Sequence, residues 1–204
     1  MHRALPRILT GLAAVLLLAG CATQRAPDPE VTVGSPGNPV LIVAYSPNDQ
    51  VRVGFEDQLE ADLKAAGIAS VPSHNLVQDF ALIDHPWVMD AAARRDAPLV
   101  LMVRRVITEM EGEGNEVPPG VTRHRTLREY FLNVGRSRLP ELPPPGRQVI
   151  EVAGYLRNGP STELVWSGYT WVDFDGDLGA AIRETSEVIA RNLAPACQGI
   201  SCDF

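Results

Sequence analysis

Beyond an apolar run at the extreme N-terminus, hydrophobic residues gather into a few segments whose spacing separates strands from helices. Val40-Leu41-Ile42-Val43-Ala44-Tyr45 is a continuous apolar run, the pattern of a short buried strand. A helix signal follows. Ser46 can cap, Pro47 fits the first helical position, and Asp49 sits in the first turn, near the free backbone N–H groups. Val51, Phe55, Leu59 and Leu63 recur every four residues and form one stripe, while Asp57, Glu60, Asp62 and Lys64 fall largely off it and Gly67 ends the helix. Ile68-Ala69-Ser70-Val71 reads as the next strand, which predicts a β-α-β unit with a right-handed crossover.

The rest of the chain extends this unit. Asp84-His85-Pro86 is a start signal for a short, alanine-rich helix from Trp87 to Arg95. After Asp96-Ala97-Pro98, the run Leu99 to Ile107 reads as a central strand, continuously apolar at first and alternating toward its end. Residues 111–146 break the pattern. Gly112, Gly114, Pro118-Pro119-Gly120 and Pro143-Pro144-Pro145-Gly146 flank Tyr130-Phe131-Leu132-Asn133-Val134, which the pattern offers as an extra strand or a contact surface. Gln148 to Leu156 and Glu163 to Val172 pair as a hairpin around Asn158-Gly159-Pro160. Leu178, Ile182, Thr185, Ile189 and Leu193 give a closing helix its stripe, with Ala181 and Val188 beside it. The order β-α-β-α-β, a long excursion, a β-hairpin and a C-terminal helix predicts the α/β class: a mixed sheet with helices packed against it, in one domain over residues 39–204.

The N-terminus has a different pattern. Met1 to Arg7 is short and basic, and Ile8 to Gly20 is apolar, so residues 1–20 read as a secretory signal peptide. The run falls short of the roughly 20 apolar residues a spanning helix needs. Leu18-Ala19-Gly20-Cys21 resembles the lipobox of bacterial lipoproteins. That resemblance implies cleavage before Cys21, which would then carry a diacylglyceryl group and an N-acyl chain such as palmitate. Several acyl chains hold a protein to a bilayer where one chain binds only reversibly. Residues 21–38, rich in Pro, Gly and small polar types, read as the lipidated cysteine and a flexible tether. By analogy with the same class, Ala22 rather than Asp points to the outer membrane, with the domain facing the periplasm.

Charge and cysteine content narrow the function. The chain is formally at −7, and loss of Arg3 and Arg7 with the signal leaves the mature protein near −9. An acidic body is not built to track phosphates, which excludes nucleic acid as a partner. Lys64 is the single lysine, so arginine supplies almost all positive charge. Cys197 and Cys202 are candidates for a small disulfide loop in an oxidising periplasm. Their spacing is not that of a Cys-x-x-Cys redox motif.

No catalytic, cofactor-binding or metal constellation stands out. Asp173-Phe174-Asp175-Gly176-Asp177 invites a calcium reading with Glu184 at position twelve. However, position six holds Leu178 where the loop needs glycine, and a strand leads in where a helix should. The alternative is a hairpin exit into an acid-capped helix. His74, His85 and His124 lack ligand spacing to one another or to a cysteine. No Gly-x-Ser-x-Gly elbow exists, and Gly112-Glu113-Gly114 lacks the Lys-Ser/Thr that a phosphate loop requires. Arg123, Arg125 and Arg128, followed by Arg136 and Arg138, form the one basic island. Beside Tyr130 and Phe131, this island is the candidate patch for a partner. Trp166 and Trp171 fall on opposite faces of the second hairpin strand.

Taken together, the lipobox, the strand Val40 to Tyr45 before a capped helix, Asp96-Ala97-Pro98-Leu99-Val100 entering a strand, and Glu163 to Gly168 before the closing helix resemble small, uncharacterised bacterial envelope lipoproteins. The layout is also similar, more distantly, to the domains of the curli-export lipoprotein and of the lipoprotein activators of peptidoglycan synthases. That resemblance implies a membrane-anchored envelope protein that binds or helps assemble another envelope protein. It transfers no catalytic residue. A hydrolase acting on cell-wall or lipid material is the alternative of a different class; it requires a Ser or carboxylate pair beside a histidine in a pocket.

Overall fold

The computed structural model describes residues 33–106, 124–134 and 145–199, and it has the expected α/β architecture. Strand β1 (Val40–Ala44) lies between β2 (Ser70–Pro72) and β3 (Leu99–Val106), both parallel to it. Strands β4 (Gly146–Asn158) and β5 (Ser161–Phe174) continue the sheet antiparallel, in the order β2-β1-β3-β4-β5. Helices cover both faces, so the alternating side chains of β1 and β3 enter two cores. Val40, Ile42, Leu101 and Val103 face α1 (Asp49–Ala65) and α4 (Leu178–Gly199). Leu41, Val43, Val100 and Met102 face α2 (His85–Arg94) and α3 (Leu127–Val134). Burial on both sides explains why these strands are continuously apolar.

Helix α1 shows how local chemistry sets its bounds. The cap is Asn48, not Ser46 as the sequence predicts: Asn48 Oδ1 accepts from Val51 N at 2.9 Å. Ser46 is drawn back toward the strand instead, its N–H donating to Ala44 O at 3.0 Å, and the chain makes one more turn before the helix. At the other end Gly67, with φ +81°, donates to Lys64 O, and Ile68 N donates to Leu63 O at 2.9 Å. This is the Schellman arrangement, closed by contact between buried Leu63 and Ile68. Along the helix, Phe55, Leu59 and Leu63 are buried as their spacing predicts.

Three features depart from the sequence pattern. Order begins before residue 39. Val33 is buried in the α1/α4 core, and Ala69 N donates to Gly34 O, so residues 33–38 of the expected tether are folded onto the domain. The aromatic segment is neither strand nor open surface but α3. Thr126 Oγ1 accepts from Glu129 N at 3.1 Å, and the Glu129 carboxylate accepts from Arg125 N at 2.9 Å, a reciprocal cap on the first turn. Finally, β5 carries a bulge. Trp166 sits opposite Gly154 and Leu164 opposite Tyr155, leaving Val165 as the extra residue. Two residues apart, Leu164 and Trp166 would share a face on a regular strand. The bulge sends Leu164 to the α2/α3 core and Trp166 to the α1/α4 core.

Candidate functional site

From β1 the chain passes through α1 to β2 on one face, then through α2 to β3 on the other. The crevice between the C-terminal ends of β1 and β3 is therefore a topological switch point, where ligands of open α/β sheets bind. A small open-mouthed cleft lies there. Ala44 to Pro47 and the end of β3 form one side. Val51 and Phe55 of α1 and Leu178, Ala181 and Ile182 of α4 form the walls, while Ile150, Val172 and Phe174 close the hairpin side. Gly54 faces α4 here, and a Cβ on it would lie 3.4 Å from Ile182 Cδ1. An apolar lining with a few polar groups is the chemistry of a small-molecule site.

Polar groups in the lining are few, and among the described residues they include no carboxylate and no histidine. That is notable in a chain with 25 acidic and 18 basic residues. Adjacent Arg104 and Arg105 both contribute, but strand alternation sends their side chains to opposite faces. Arg104 pairs with Glu151, directly across from it on β4, and lies 5.9 Å from the ring centre of Tyr130. Arg105 sits opposite Ile150 on the cleft side. Its Nη1 donates to Gln148 Oε1 at 3.1 Å, and Gln148 Nε2 donates to Gly146 O at 3.3 Å. Its Nη2 is buried and has no hydrogen-bond partner among the described residues. Burial disfavours the charged form and lowers the guanidinium pKa. One side of the sheet thus holds a compensated arginine and the other an uncompensated one.

Two further polar groupings lie away from the cleft. On the α2/α3 face, Tyr130 and Tyr155 bury hydroxyls that have no hydrogen-bond partner among the described residues, and burial raises the pKa of each. Burial also raises the pKa of Glu151, against the opposing pull of Arg104. At the end of β2, fully buried Glu56 accepts from Ala44 N, Ser73 Oγ, His74 N and His74 Nδ1 at 2.6–2.9 Å, and His74 Nε2 meets Asp57 at 3.1 Å. This set contains a serine, a carboxylate and a histidine, but it is not a nucleophilic triad. The Ser73 hydroxyl donates to the carboxylate and not to the imidazole, and Ser73 is fully buried. Together with Arg52, which donates to Val77 O and Gln78 O, the set fixes the segment after β2 to α1.

The residues expected to form a partner patch differ in exposure. Arg125 and Arg128 are exposed, Phe131 is half-buried, and Arg123 lies outside the described residues. Tyr130 is 1% exposed and belongs to the core, edge-on to Tyr155, His124 and Tyr45. Cys21 and Cys202 lie outside the described residues, and Cys197 falls in the last turns of α4. In the acidic loop, Asp175 accepts from Asp177 N and Asp177 accepts from Ala180 N at 2.9 Å, the arrangement of an acid-capped helix. Trp166 packs on the α1/α4 core. Trp171, on the opposite face, stacks beneath Arg147 with the guanidinium carbon 4.8 Å from its ring. No local sequence signal marks the cleft, and Arg105 stands in the sequence only as a residue near the end of a strand.

No family model matches this chain, and no curated protein matches it. Among solved structures it is similar to the PelC dodecamer from Paraburkholderia phytofirmans, at 16% identity over 81% of this chain and 91% of that one, with a TM-score of 0.38. A single-substitution variant of that protein gives 18% identity over 81% and 92%, with a TM-score of 0.37. Lipoprotein GNA1162 from Neisseria meningitidis gives 12% identity over 78% and 99%, also at 0.37.

Proposed function

We propose that this chain is a lipid-anchored binding protein of the bacterial envelope. Acyl chains on Cys21 hold it at the periplasmic face of the outer membrane, and the α1/α4 cleft holds a ligand. The cleft carries the reading: it is preformed, apolar and placed at the switch point of the sheet. Its chemistry favours binding over hydrolysis. Ser46 and Thr185 supply hydroxyls, but no described lining residue is a histidine or carboxylate able to take a proton from them. The anchor is supported by Leu18-Ala19-Gly20-Cys21 directly after the apolar run, and by the residues available between Cys21 and Val33 to span the distance to the bilayer.

Metabolic labelling with alkyne-palmitate tests the anchor. The wild-type chain is expected to be labelled and to fractionate with the outer membrane. Cys21→Ser is expected to lose the label and appear in the soluble periplasmic fraction. Equal labelling of both, or of neither, would remove the anchoring half of this proposal.

A further inference from the structure

We infer that the cleft is a site for an anionic amphiphile, a long-chain carboxylate whose head pairs with Arg105 and whose chain lies between α1 and α4. This inference rests on the cleft being a binding site and adds the class of ligand. Three observations carry it. First, the lining is overwhelmingly aliphatic and aromatic, with Val51, Phe55, Ile150, Val172 and Ile182 among its walls, which suits a hydrocarbon body and not a sugar or a peptide backbone. Second, the charge inside is of one sign. Glu151 neutralises Arg104 on the far face, but among the described residues no carboxylate pairs with Arg105. An acidic protein has thus placed a lone cation against an apolar wall, and a ligand anion is the complement that site lacks. Third, the hydrogen-bonding capacity of Arg105 is only partly used among the described residues. Gln148 holds Nη1 and is itself tied to Gly146 O, while Nη2 keeps its hydrogens unspent. A guanidinium steadied on one nitrogen and unsatisfied on the other suits a small monoanion. A phosphate dianion would call for more donors than this site offers.

Photolabelling of the purified full chain in maltoside detergent tests this. The probes are a diazirine-bearing hexadecanoic acid, its methyl ester, and the matching alkyl phosphate and alkyl trimethylammonium compounds, with labelled peptides mapped by mass spectrometry. The acid is expected to label the Val51–Phe55 and Leu178–Thr185 peptides about ten-fold more than the ester, the gain from one charge-assisted pairing. Arg105→Gln is expected to erase that preference while leaving ester labelling in place, and Arg105→Lys to retain part of it. The ester arm also reports whether each variant still forms the cleft. Equal labelling by acid and ester, or stronger labelling by the phosphate or the ammonium probe, would overturn the carboxylate assignment and leave the cleft standing as a binding site. If no probe labels these peptides, the binding reading itself falls.

Discussion

Arg104 and Arg105 are neighbours of the same type, and the structure gives them opposite energetic roles. The side chain of Arg104 is 7% exposed and that of Glu151 is 4% exposed. Removing either partner of a buried pair strands the other charge, a loss of about 3–5 kcal/mol, reduced here because Glu151 can take up a proton. Among the described residues Arg105 has no such partner to strand, and exchanging it for an apolar side chain of similar length removes a desolvated charge from an apolar wall. In urea titrations monitored by tryptophan fluorescence, Arg104→Met is expected to lower stability by about 3 kcal/mol and Arg105→Met to raise it by up to about 1 kcal/mol. Destabilisation by both variants would mean that the Arg105–Gln148 bond matters more than the uncompensated charge. Alternation along β3 made the opposite placement of the two arginines legible from sequence. The pairing with Glu151 was not, because it depends on the register of β4, 47 positions later.

At the level of elements, what was legible follows how local each signal is. Helix α1 announces itself through a four-residue stripe, a polar cap and a terminal glycine, and only the capping residue shifts, from Ser46 to Asn48. Helix α3 was hidden by the Pro- and Gly-rich sequence around it. Its signal was nevertheless present: Thr126 and Glu129 at capping-box spacing, with Leu127, Tyr130 and Val134 at helical spacing, the three residues it buries. The bulge at Val165 left no comparable mark, since its cause is the facing of Leu164 and Trp166 toward two different cores. Two glycines, one inside α1 and one just past its end, show how position decides sign. Gly67 holds φ +81° in the Schellman turn, so Gly67→Ala places a Cβ in the left-handed region and is expected to cost about 1 kcal/mol. Gly54 sits mid-helix with only the mobile tip of Ile182 at 3.4 Å, so Gly54→Ala gains helix propensity and is expected to stabilise by up to about 1 kcal/mol. Thermal melts should move in opposite directions; a fall for both would show that α1 and α4 cannot yield at their crossing.

At the scale of the molecule, the sheet divides the protein into two halves with different liabilities. The α1/α4 half holds the cleft, which no single segment could disclose because six elements and their connections line it. The α2/α3 half holds the groups whose ionisation ties stability to pH. Burial lowers the pKa of His124, reinforced by Arg104, and burial lowers that of His85, reinforced by Arg128. Both rings touch α3, His124 at Tyr130 and His85 at Phe131. The unfolded chain takes up these protons near the ordinary value of 6.5 and the folded chain resists them, so the stability they contribute is present above that pH and is lost as pH falls through their lowered folded values. Glu151 runs the other way. Burial raises its pKa above 4.5, so its contribution is complete below 4.5 and is lost as pH rises through the folded value. Acidification from about pH 7.5 to about pH 5.5 crosses the range where unfolded histidines protonate, and the two histidines should outweigh the one carboxyl. The melting temperature is therefore expected to fall across that interval, with amide exchange rising first in α3. The double variant His85→Asn, His124→Asn is expected to show a clearly flatter profile, because only the opposing carboxyl remains of the three. Parallel profiles for variant and wild type would show that α3 stays docked regardless of imidazole charge and that the acid sensitivity arises elsewhere in the fold.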